Sequence, residues 1–451
     1  MTEPRRGPLL AAIASGTVLN PLNSSLIAVA LVQLADDFEL SFASVSWLIS
    51  LFYLTSAVAQ PVAGRLGDVV GPRRLFLAGL VLVGLASAAA PLAPNFAALL
   101  VIRGVQALGS SAIYPSGMAI IRRVVVEGRA RALAVVSVFS SVAAAIGPSL
   151  GGYLVAWRGW EATFLAGLPL VMVAIVLGVA VLPPDPPPAA DSTLRRVDLP
   201  GIVLFGVTLV GALLFLLSLE ARPAWWALAL SVGGGVLFTR VEGRVAEPFI
   251  DLRELRSSPG LTWIFVQYAM VNLVFYAVFF GVPSFLQVAK GLPGDEVGLV
   301  MLAVAGSGVV TTPLAARLIE RFGARPVLII GATFLTAGAL ALLLITAELS
   351  NAATAAVLAL LGVSVGFTNL GLQTALYDTV PSSNIGAAAG LFQTSRYLGT
   401  ILSASLLGLL FGEEIDTGNL HQLAWCLAAV SALVLIVDLR SPAGGRAASS
   451  P

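Results

Sequence analysis

Four polar side chains interrupt the apolar stretch LNPLNSSLIAVAL at residues 19–31. They are the amides of Asn20 and Asn23 and the hydroxyls of Ser24 and Ser25. Amides and hydroxyls donate and accept hydrogen bonds, but they do not ionise near neutral pH. They therefore suit hydrogen bonding to a polar solute or to a neighbouring helix. We predict that this stretch forms hydrogen bonds and does not carry protons.

Two arginines lie deep inside other apolar stretches. Arg103 is followed at helical spacing by Gln106 and Tyr114, three and eleven residues later, which puts all three on one helix face. Arg396 stands near the middle of residues 385–411. A charge at such a depth is costly unless it faces protein or water. Either these arginines line an aqueous cavity, or they are tied to backbone carbonyls and serve packing.

Further apolar stretches also contain side chains that form hydrogen bonds. They are Tyr53 and Gln60 in residues 43–63, Gln267, Tyr268, Asn272 and Tyr276 in residues 260–286, and Asn369 and Gln373 in residues 352–376. Their spacing alone predicts only that these helices turn polar faces away from lipid. Aromatic side chains at helical spacing also serve ordinary packing, so the tyrosines have both interpretations.

Acidic residues are absent from the middle of every predicted apolar stretch. Asp37, Glu161 and Glu220 lie at stretch ends and are the candidate proton sites if the chain couples to protons. The single histidine, His421, and the single cysteine, Cys426, leave no multi-histidine metal site and no disulfide framework. We therefore predict no catalytic residue, no metal and no cofactor.

The whole chain has the composition of a membrane protein. Of its 451 residues, 58% are hydrophobic and only 11% are charged, whereas soluble domains carry about 25% charged residues. The net charge of +1 argues against a nucleic-acid partner. A bilayer is crossed by about 20 apolar residues in a helix. This length predicts about 14 spans, at residues 9–32, 43–63, 75–92, 96–121, 132–155, 162–182, 199–218, 224–239, 260–286, 297–316, 326–346, 352–376, 385–411 and 420–438.

The basic residues predict an orientation. With both termini in the cytoplasm, 20 of the 25 lysine and arginine residues fall on cytoplasmic segments and three on outer loops. Such an asymmetry sets the topology of multi-pass proteins. The first apolar stretch continues past Asn20 without a clear cleavage site, so we interpret it as a span rather than a signal peptide. We predict a monomer in the cytoplasmic membrane, with both termini cytoplasmic.

An internal repeat divides the chain into two halves. The segment PVAGRLGDVVGPRRL at residues 61–75 returns as PLAARLIERFGARPV at residues 313–327, with paired positions 252 residues apart. Many secondary transporters consist of two related halves with the substrate site between them. The predicted domains are an N-terminal six-helix bundle at 1–182, a linker and inserted two-helix hairpin at 183–258, a C-terminal six-helix bundle at 259–439 and a cytoplasmic tail at 440–451.

Three motifs in this order resemble one family. GRLGDVVGPRR at residues 64–74, LVIRGVQALGSSA at residues 100–112 and AAAIGPSLGGYL at residues 143–154 fit signatures of the major facilitator superfamily. The chain resembles in particular the 14-span branch of drug:proton antiporters, along nearly its whole length. Ala143 departs from the pattern, which usually has glycine there.

The resemblance implies an all-α integral membrane protein with the major-facilitator fold: two six-helix bundles and two extra helices between them. It also implies roles for individual residues. The candidate cavity residues are Asn20, Asn23, Arg103, Gln106, Tyr114, Gln267, Tyr268, Asn272, Tyr276, Asn369, Gln373 and Arg396. The implied inner gate consists of Gly64, Asp68, Gly71, Arg73 and Arg74. The implied hinge consists of Gly147, Pro148, Gly151 and Gly152.

One departure concerns the coupling ion. Antiporters of this branch often have an aspartate at the position of Asn23, and an amide cannot replace its proton chemistry. With two deep arginines and no deep acid, the cavity is expected to be neutral to positive. That favours anionic, zwitterionic or neutral amphiphiles over lipophilic cations.

These features together predict a secondary active transporter that exports amphiphilic small molecules by alternating access. The expected partners are the small amphiphilic substrate, membrane lipids and, as a candidate coupling ion, protons. An uncoupled facilitator, or a lipid or anion transporter of the same fold, is the alternative. A membrane-embedded enzyme and a non-transporting sensor are alternatives from other classes.

Overall fold

The computed structural model describes residues 6–40, 42–45, 47–125, 128–185, 198–218, 223–245, 248, 250, 252–380, 385–411 and 415–440. All regular structure within these residues is helical. The first helices are α1 (Arg6–Asp37), α2 (Phe42–Val45), α3 (Trp47–Val70), α4 (Pro72–Ala89), α5 (Phe96–Val124), α6 (Arg129–Arg158), α7 (Glu161–Leu165), α8 (Leu168–Val181) and α9 (Leu199–Ser218). They are followed by α10 (Trp225–Glu242), α11 (Leu252–Ser257), α12 (Pro259–Val288), α13 (Gly294–Phe322), α14 (Ala324–Ala341), α15 (Asn351–Thr379), α16 (Ile385–Phe411) and α17 (Thr417–Arg440).

The described helices include 11 stretches that are long and apolar enough to cross a membrane. This confirms the prediction of an all-α membrane protein. The three remaining predicted spans, at residues 132–155, 224–239 and 385–411, coincide with the helices α6, α10 and α16. The structure is therefore compatible with the predicted number of spans.

The two repeated segments form turns of a single residue. Helix α3 continues to Val70 and α4 begins at Pro72, so that Gly71 alone connects them. In the second copy, Gly323 alone connects α13 and α14. Gly71 has a φ of 111° and Gly323 a φ of 83°, a backbone region that favours glycine. The segment 64–74, which lies between the predicted spans at 43–63 and 75–92, is thus mostly helix, because both flanking helices extend beyond their apolar stretches.

The helices pack into two compact units. The first comprises residues 1–214, 225–259 and 380–397, and the second comprises residues 215–224, 260–379 and 398–451. Helix α16 contributes its first part to one unit and its second part to the other.

Small residues allow close helix packing in the first unit. Helix α1 packs against α6, and Gly147 of α6 faces the Ser25 side chain while Gly151 faces the carbonyl of Leu26. A Cβ atom at Gly147 would collide with Ser25. The predicted hinge segment is therefore a close helix contact, which is a common use of small residues in membranes.

The second unit uses the same device between α13 and α15. Gly362 of α15 lies against the backbone carbonyl of Val304. One turn later, Gly366 lies near the backbone of Thr312, and the Thr311 hydroxyl donates a hydrogen bond of 3.4 Å to the carbonyl of Val363. Backbone contacts of this kind leave no room for a methyl group.

We predict that Gly362→Ala lowers the thermal stability of the protein in detergent. The added Cβ would meet the Val304 carbonyl, and overpacking of this kind costs about 1–3 kcal/mol. Gly306→Ala on α13 is the control, because a Cβ there has no neighbour within 4 Å. Equal melting temperatures for the two variants, measured by fluorescence-detected size exclusion after heating, would contradict the prediction.

Candidate functional site

Polar side chains from four helices meet around the hydroxyl of Tyr397 in the first unit. Gln60 of α3 donates a hydrogen bond of 3.0 Å to the Tyr397 Oη. Arg396 donates one of 3.2 Å, and Asn20 of α1 approaches at 3.4 Å. The Asn20 amide also donates to the Ser110 hydroxyl of α5, at 3.1 Å. These five residues are called the Tyr397 cluster below.

The centre of the Tyr397 cluster is buried, whereas Asn20 and Arg396 at its edge are half-buried. Tyr397 is 1% exposed, and its ring lies 5.6 Å from the ring of Tyr53, centroid to centroid. The guanidinium of Arg396 lies 4.9 Å from the centroid of the Tyr397 ring. The cluster contains two amides, two hydroxyls and one guanidinium, and none of its members is acidic. It can therefore hydrogen-bond a polar group and attract a negative charge.

The structure brings together two predicted cavity residues, Asn20 and Arg396. It also places Gln60, Ser110 and Tyr397 beside them, an arrangement that the sequence did not indicate. Tyr397 was not among the predicted site residues, although it follows a deep arginine directly. Tyr114 lies half-buried on α5, one turn beyond Ser110.

Asn23 lies in a different environment from Asn20. It is 2% exposed, and its amide oxygen lies next to Gly167, which precedes α8. Within the described part of the chain, neither atom of this amide has a hydrogen-bond partner. The hydroxyls of Ser24 and Ser25 donate to the backbone carbonyls of Asn20 at 3.0 Å and Pro21 at 2.7 Å. The four polar residues of the opening stretch thus have separate roles.

Arg103 lies in the packed interior of the first unit. It is 1% exposed, and its guanidinium donates to Gln106 and, at 3.4 Å, to the carbonyl of Leu48. Its Cζ atom lies 4.2 Å from the Phe52 ring centroid, and Gln106 donates in turn to Ser87 at 2.8 Å. These contacts favour the packing interpretation of Arg103 and Gln106, and their cavity role stays a prediction.

The described hydrogen bonds and ring contacts of the predicted cavity residues on α12 are with α12 itself and with α17. Gln267 of α12 donates to the carboxylate of Asp438 on α17, at 2.8 Å. The Asn272 amide donates to the carbonyl of Tyr268, at 2.7 Å. Tyr276 belongs to an aromatic group with Phe275, Phe279 and Phe280. Asn369 is half-buried and Gln373 is buried on α15. The described contacts do not join these residues into one cluster.

The carboxylate of Asp68 lies at the start of α16, within the first unit. Its two oxygens accept hydrogen bonds of 3.2 Å each from the backbone amides of Gly386 and Ala387. These amides belong to the first turn of the helix, where no intrahelical acceptor is available. A negative charge there is also favourable for the helix dipole.

Glycines bring α3 and α16 into contact along the same seam. Gly64 of α3 lies against the backbone of Gly386, and Gly390 lies against the backbone of Gln60 and Pro61. The Thr394 hydroxyl then donates 2.7 Å to the carbonyl of Ala57. The segment GAAAG at residues 386–390 has the small-xxx-small spacing that permits such an approach. The seam runs from Asp68 to the Tyr397 cluster.

Asp185 holds the turn at Gly71 from the other side. Its carboxylate accepts hydrogen bonds from the backbone amides of Arg73 at 2.8 Å and Arg74 at 3.0 Å, in the first turn of α4. A Cβ atom at Gly71 would collide with this carboxylate. The Arg73 guanidinium donates to the carbonyl of Val179, at 2.8 Å. Sequence reasoning missed Asp185, which belongs to a proline-rich segment with no motif.

The candidate proton sites and the remaining hinge residues differ in exposure. Asp37 is exposed and Glu161 is half-buried, each at a helix end. Glu220 lies outside the described residues, as does the side chain of Pro148. Gly152 is half-buried on α6.

Apolar helices that bring amides, hydroxyls and a guanidinium together inside the membrane are typical of a multi-pass transporter of small molecules. The sequence profile of the Major Facilitator Superfamily matches residues 13–404. The chain therefore belongs to this superfamily, whose members are membrane transporters rather than enzymes.

Two relatives and one solved structure illustrate the similarity. The chain is 42% identical over 451 residues to the uncharacterized MFS-type transporter YwoD of Bacillus subtilis, covering 100% of both chains. It is 30% identical over 438 residues to the tetracenomycin C resistance and export protein of Streptomyces glaucescens, covering 94% of this chain and 79% of that relative. The crystal structure of the human organic anion transporter MFSD10 has the same fold, with a TM-score of 0.66, 17% identity and 96% of each chain covered.

We predict opposite effects for two substitutions three residues apart. Asn20→Leu removes hydrogen bonds to Ser110 and Tyr397, so it should lower the free energy of unfolding by about 1–3 kcal/mol. Asn23→Leu removes a buried amide without described partners, so it should be neutral or stabilising. Melting temperatures in detergent test this. Equal destabilisation by both substitutions would show that Asn23 has partners after all.

We also predict that Asp68→Asn slows transport without reducing expression or membrane insertion. The amide keeps one acceptor but loses the charge at the start of α16, a change of about 0.5–2 kcal/mol. Turnover in proteoliposomes is the measurement, and Asp36→Asn, at an exposed position of α1, is the control. Unchanged turnover would leave Asp68 with a structural role only.

Proposed function

We propose that this protein is an exporter of amphiphilic small molecules that works by alternating access. Relatives support an export role: the protein from Streptomyces glaucescens is named for resistance to and export of tetracenomycin C. LfrA of Mycolicibacterium smegmatis, at 28% identity over 417 residues, is named a multidrug efflux pump. The predicted orientation, with both termini cytoplasmic, belongs to this proposal.

The observation that carries the proposal is the Tyr397 cluster. Its donors from α1, α3 and α16 converge on one hydroxyl, and the tyrosine rings beside it offer an apolar surface. A substrate with a polar head and an apolar body matches this combination. Because Arg396 brings a positive charge and no member is acidic, the cluster favours neutral, zwitterionic or anionic heads over cations.

The seam between α3 and α16 gives the same site a gate. Hydrogen bonds from Gly386 and Ala387 to Asp68, together with the glycine contacts, hold the first part of α16 against α3. Alternating access requires helices to separate and rejoin, so we infer that this seam opens during the cycle. The hydrogen bonds of Tyr397 then break with it, which would expose its polar groups to a substrate.

Uncoupled transport remains the alternative to coupled export. Asn23 occupies the place where antiporters of the resembling branch often have an aspartate, and its amide is buried beside Gly167. Such a residue does not carry a proton. Coupling by another acid and downhill movement without coupling are therefore the two forms of the proposal.

Flux measurements with matched probes test the proposal. Purified protein in proteoliposomes is supplied with a fluorescent carboxylate amphiphile, its methyl ester, and a quaternary ammonium of the same chain length. We expect saturable flux of the carboxylate and the ester. Arg396→Gln should weaken binding of the transported carboxylate by about 1.5–3 kcal/mol, the usual contribution of a hydrogen bond to a charged group, and should affect the ester less.

The control is Arg240→Gln, because Arg240 is exposed on α10. Equal losses for carboxylate and ester would remove Arg396 from substrate recognition. Preferential flux of the quaternary ammonium would contradict the assigned substrate class, and the absence of saturable flux for all three probes would contradict export of amphiphiles.

A further inference from the structure

Asp438 is a buried acid that the transport cycle described above does not use. It lies in the last turn of α17 and is 5% exposed. Its Oδ2 atom accepts a hydrogen bond of 2.8 Å from the Nε2 atom of Gln267. Gln267 is 1% exposed and belongs to α12. A buried carboxyl group is costly unless it is paired, and buried acids of this kind are common at functional sites.

The partner of this acid distinguishes it from a structural ion pair. An arginine offers only donors and therefore satisfies only an ionised carboxylate. A glutamine side chain offers both a donor and an acceptor, so it can hydrogen-bond the ionised and the protonated form of Asp438 by turning its amide. The pair Asp438–Gln267 can thus change protonation without losing its partner, which is the property that a proton carrier needs.

The described contacts of Asp438 include a nearby arginine but no direct ion pair with it. Among the described residues, Arg325 at the start of α14 acts on Asp438 electrostatically, but its guanidinium donates to the carbonyl of Leu439, at 3.2 Å. From helix α12, the amide of Gln267 contacts the carboxylate of Asp438. On its own helix, the charged neighbour is Arg440, which is exposed. Asp438 thus has a cation nearby and an amide in contact.

Helix α12 connects this pair to the rest of the second unit. Gly399 of α16 lies against the carbonyl of Ala269 and the amide of Leu273, within two turns of Gln267 along α12. A change in the bond between Asp438 and α12 therefore acts on a helix that packs against the second part of α16.

We propose that Asp438, hydrogen-bonded to Gln267, is the proton-binding site that couples this transporter to a proton gradient. The proposal rests on the proposed transport function and selects its coupled form. Asp438 takes up and releases a proton during the transport cycle, and each transfer alters the hydrogen bond between α17 and α12. Asp68 differs because its partners are backbone amides, which are donors only.

Two assays on the same proteoliposomes separate coupling from transport. Counterflow exchanges labelled for unlabelled carboxylate amphiphile without any gradient, whereas accumulation is driven by an imposed pH difference. Asp438→Asn replaces the carboxylate with an amide of the same shape, which can still hydrogen-bond Gln267 but cannot bind a proton. We therefore expect counterflow to persist and accumulation driven by the pH difference to be lost. Asp416→Asn, at the exposed opposite end of α17, is the matched control and should retain both activities.

A second variant reads out the titration itself. Arg325→Gln removes the nearby positive charge, so the ionised form of Asp438 becomes less favourable. The pH of half-maximal accumulation should then rise by about one unit, the lower end of what an adjacent opposite charge contributes. A purely structural role for Asp438 would change the amount of folded protein and leave this pH profile where it was.

Each result decides the proposal. Accumulation that persists in Asp438→Asn overturns it. An unshifted pH profile in Arg325→Gln also overturns it, and this second test remains valid if Asp438→Asn does not fold. Wild-type protein with counterflow but no accumulation under a pH difference would overturn the coupling and leave the transport function intact. Wild-type protein without counterflow for any of the three probes would overturn the proposed function instead.

Discussion

Inside a bilayer no water competes for a peptide group, so every backbone N–H and C=O must pair within its own helix. Polar side chains at that depth face the same condition and must find partners on neighbouring helices or stay unpaired. This constraint explains why α3 and α16 meet through Gly64, Gly386 and Gly390. Close approach of the backbones lets short polar side chains such as Thr394 reach a carbonyl on the opposite helix.

The polar residues of α1 show how differently the constraint can be met. Asn20 reaches Ser110 and Tyr397 on two other helices. Ser24 and Ser25 donate to the carbonyls of Asn20 and Pro21, on α1 itself. Asn23 places its amide oxygen next to Gly167, and among the described residues its amide has no hydrogen-bond partner. An unpaired buried amide costs stability, so a conformation in which Asn23 has a partner would be favoured by that amount.

The carboxylates of Asp68, Asp185 and Asp438 each accept hydrogen bonds from amide groups. Asp68 and Asp185 accept from the first-turn amides of α16 and α4, which otherwise have no acceptor. Both therefore fix the positions of helices, one along the seam with α3 and one at the turn of Gly71. Asp438 is received by a side-chain amide instead, and this difference in partner chemistry is what separates a helix cap from a candidate proton carrier.

Hydrophobic length indicated the helices, the 252-residue repeat indicated the two copies of the glycine turn, and three motifs indicated the family, because these depend on local composition and spacing. Partner choice could not be read in the same way. Nothing in the spacing of Asn20 and Asn23 indicates that one reaches Tyr397, 377 residues away, while the other has no described partner. Arg103 and Arg396 are both deep arginines, yet one donates to Leu48 and Gln106 within the packing and the other belongs to the Tyr397 cluster. The sequence determines which polar side chains lie within apolar helices. Only the tertiary structure decides which of them form hydrogen bonds with each other, because these bonds depend on distances between helices that are remote along the chain.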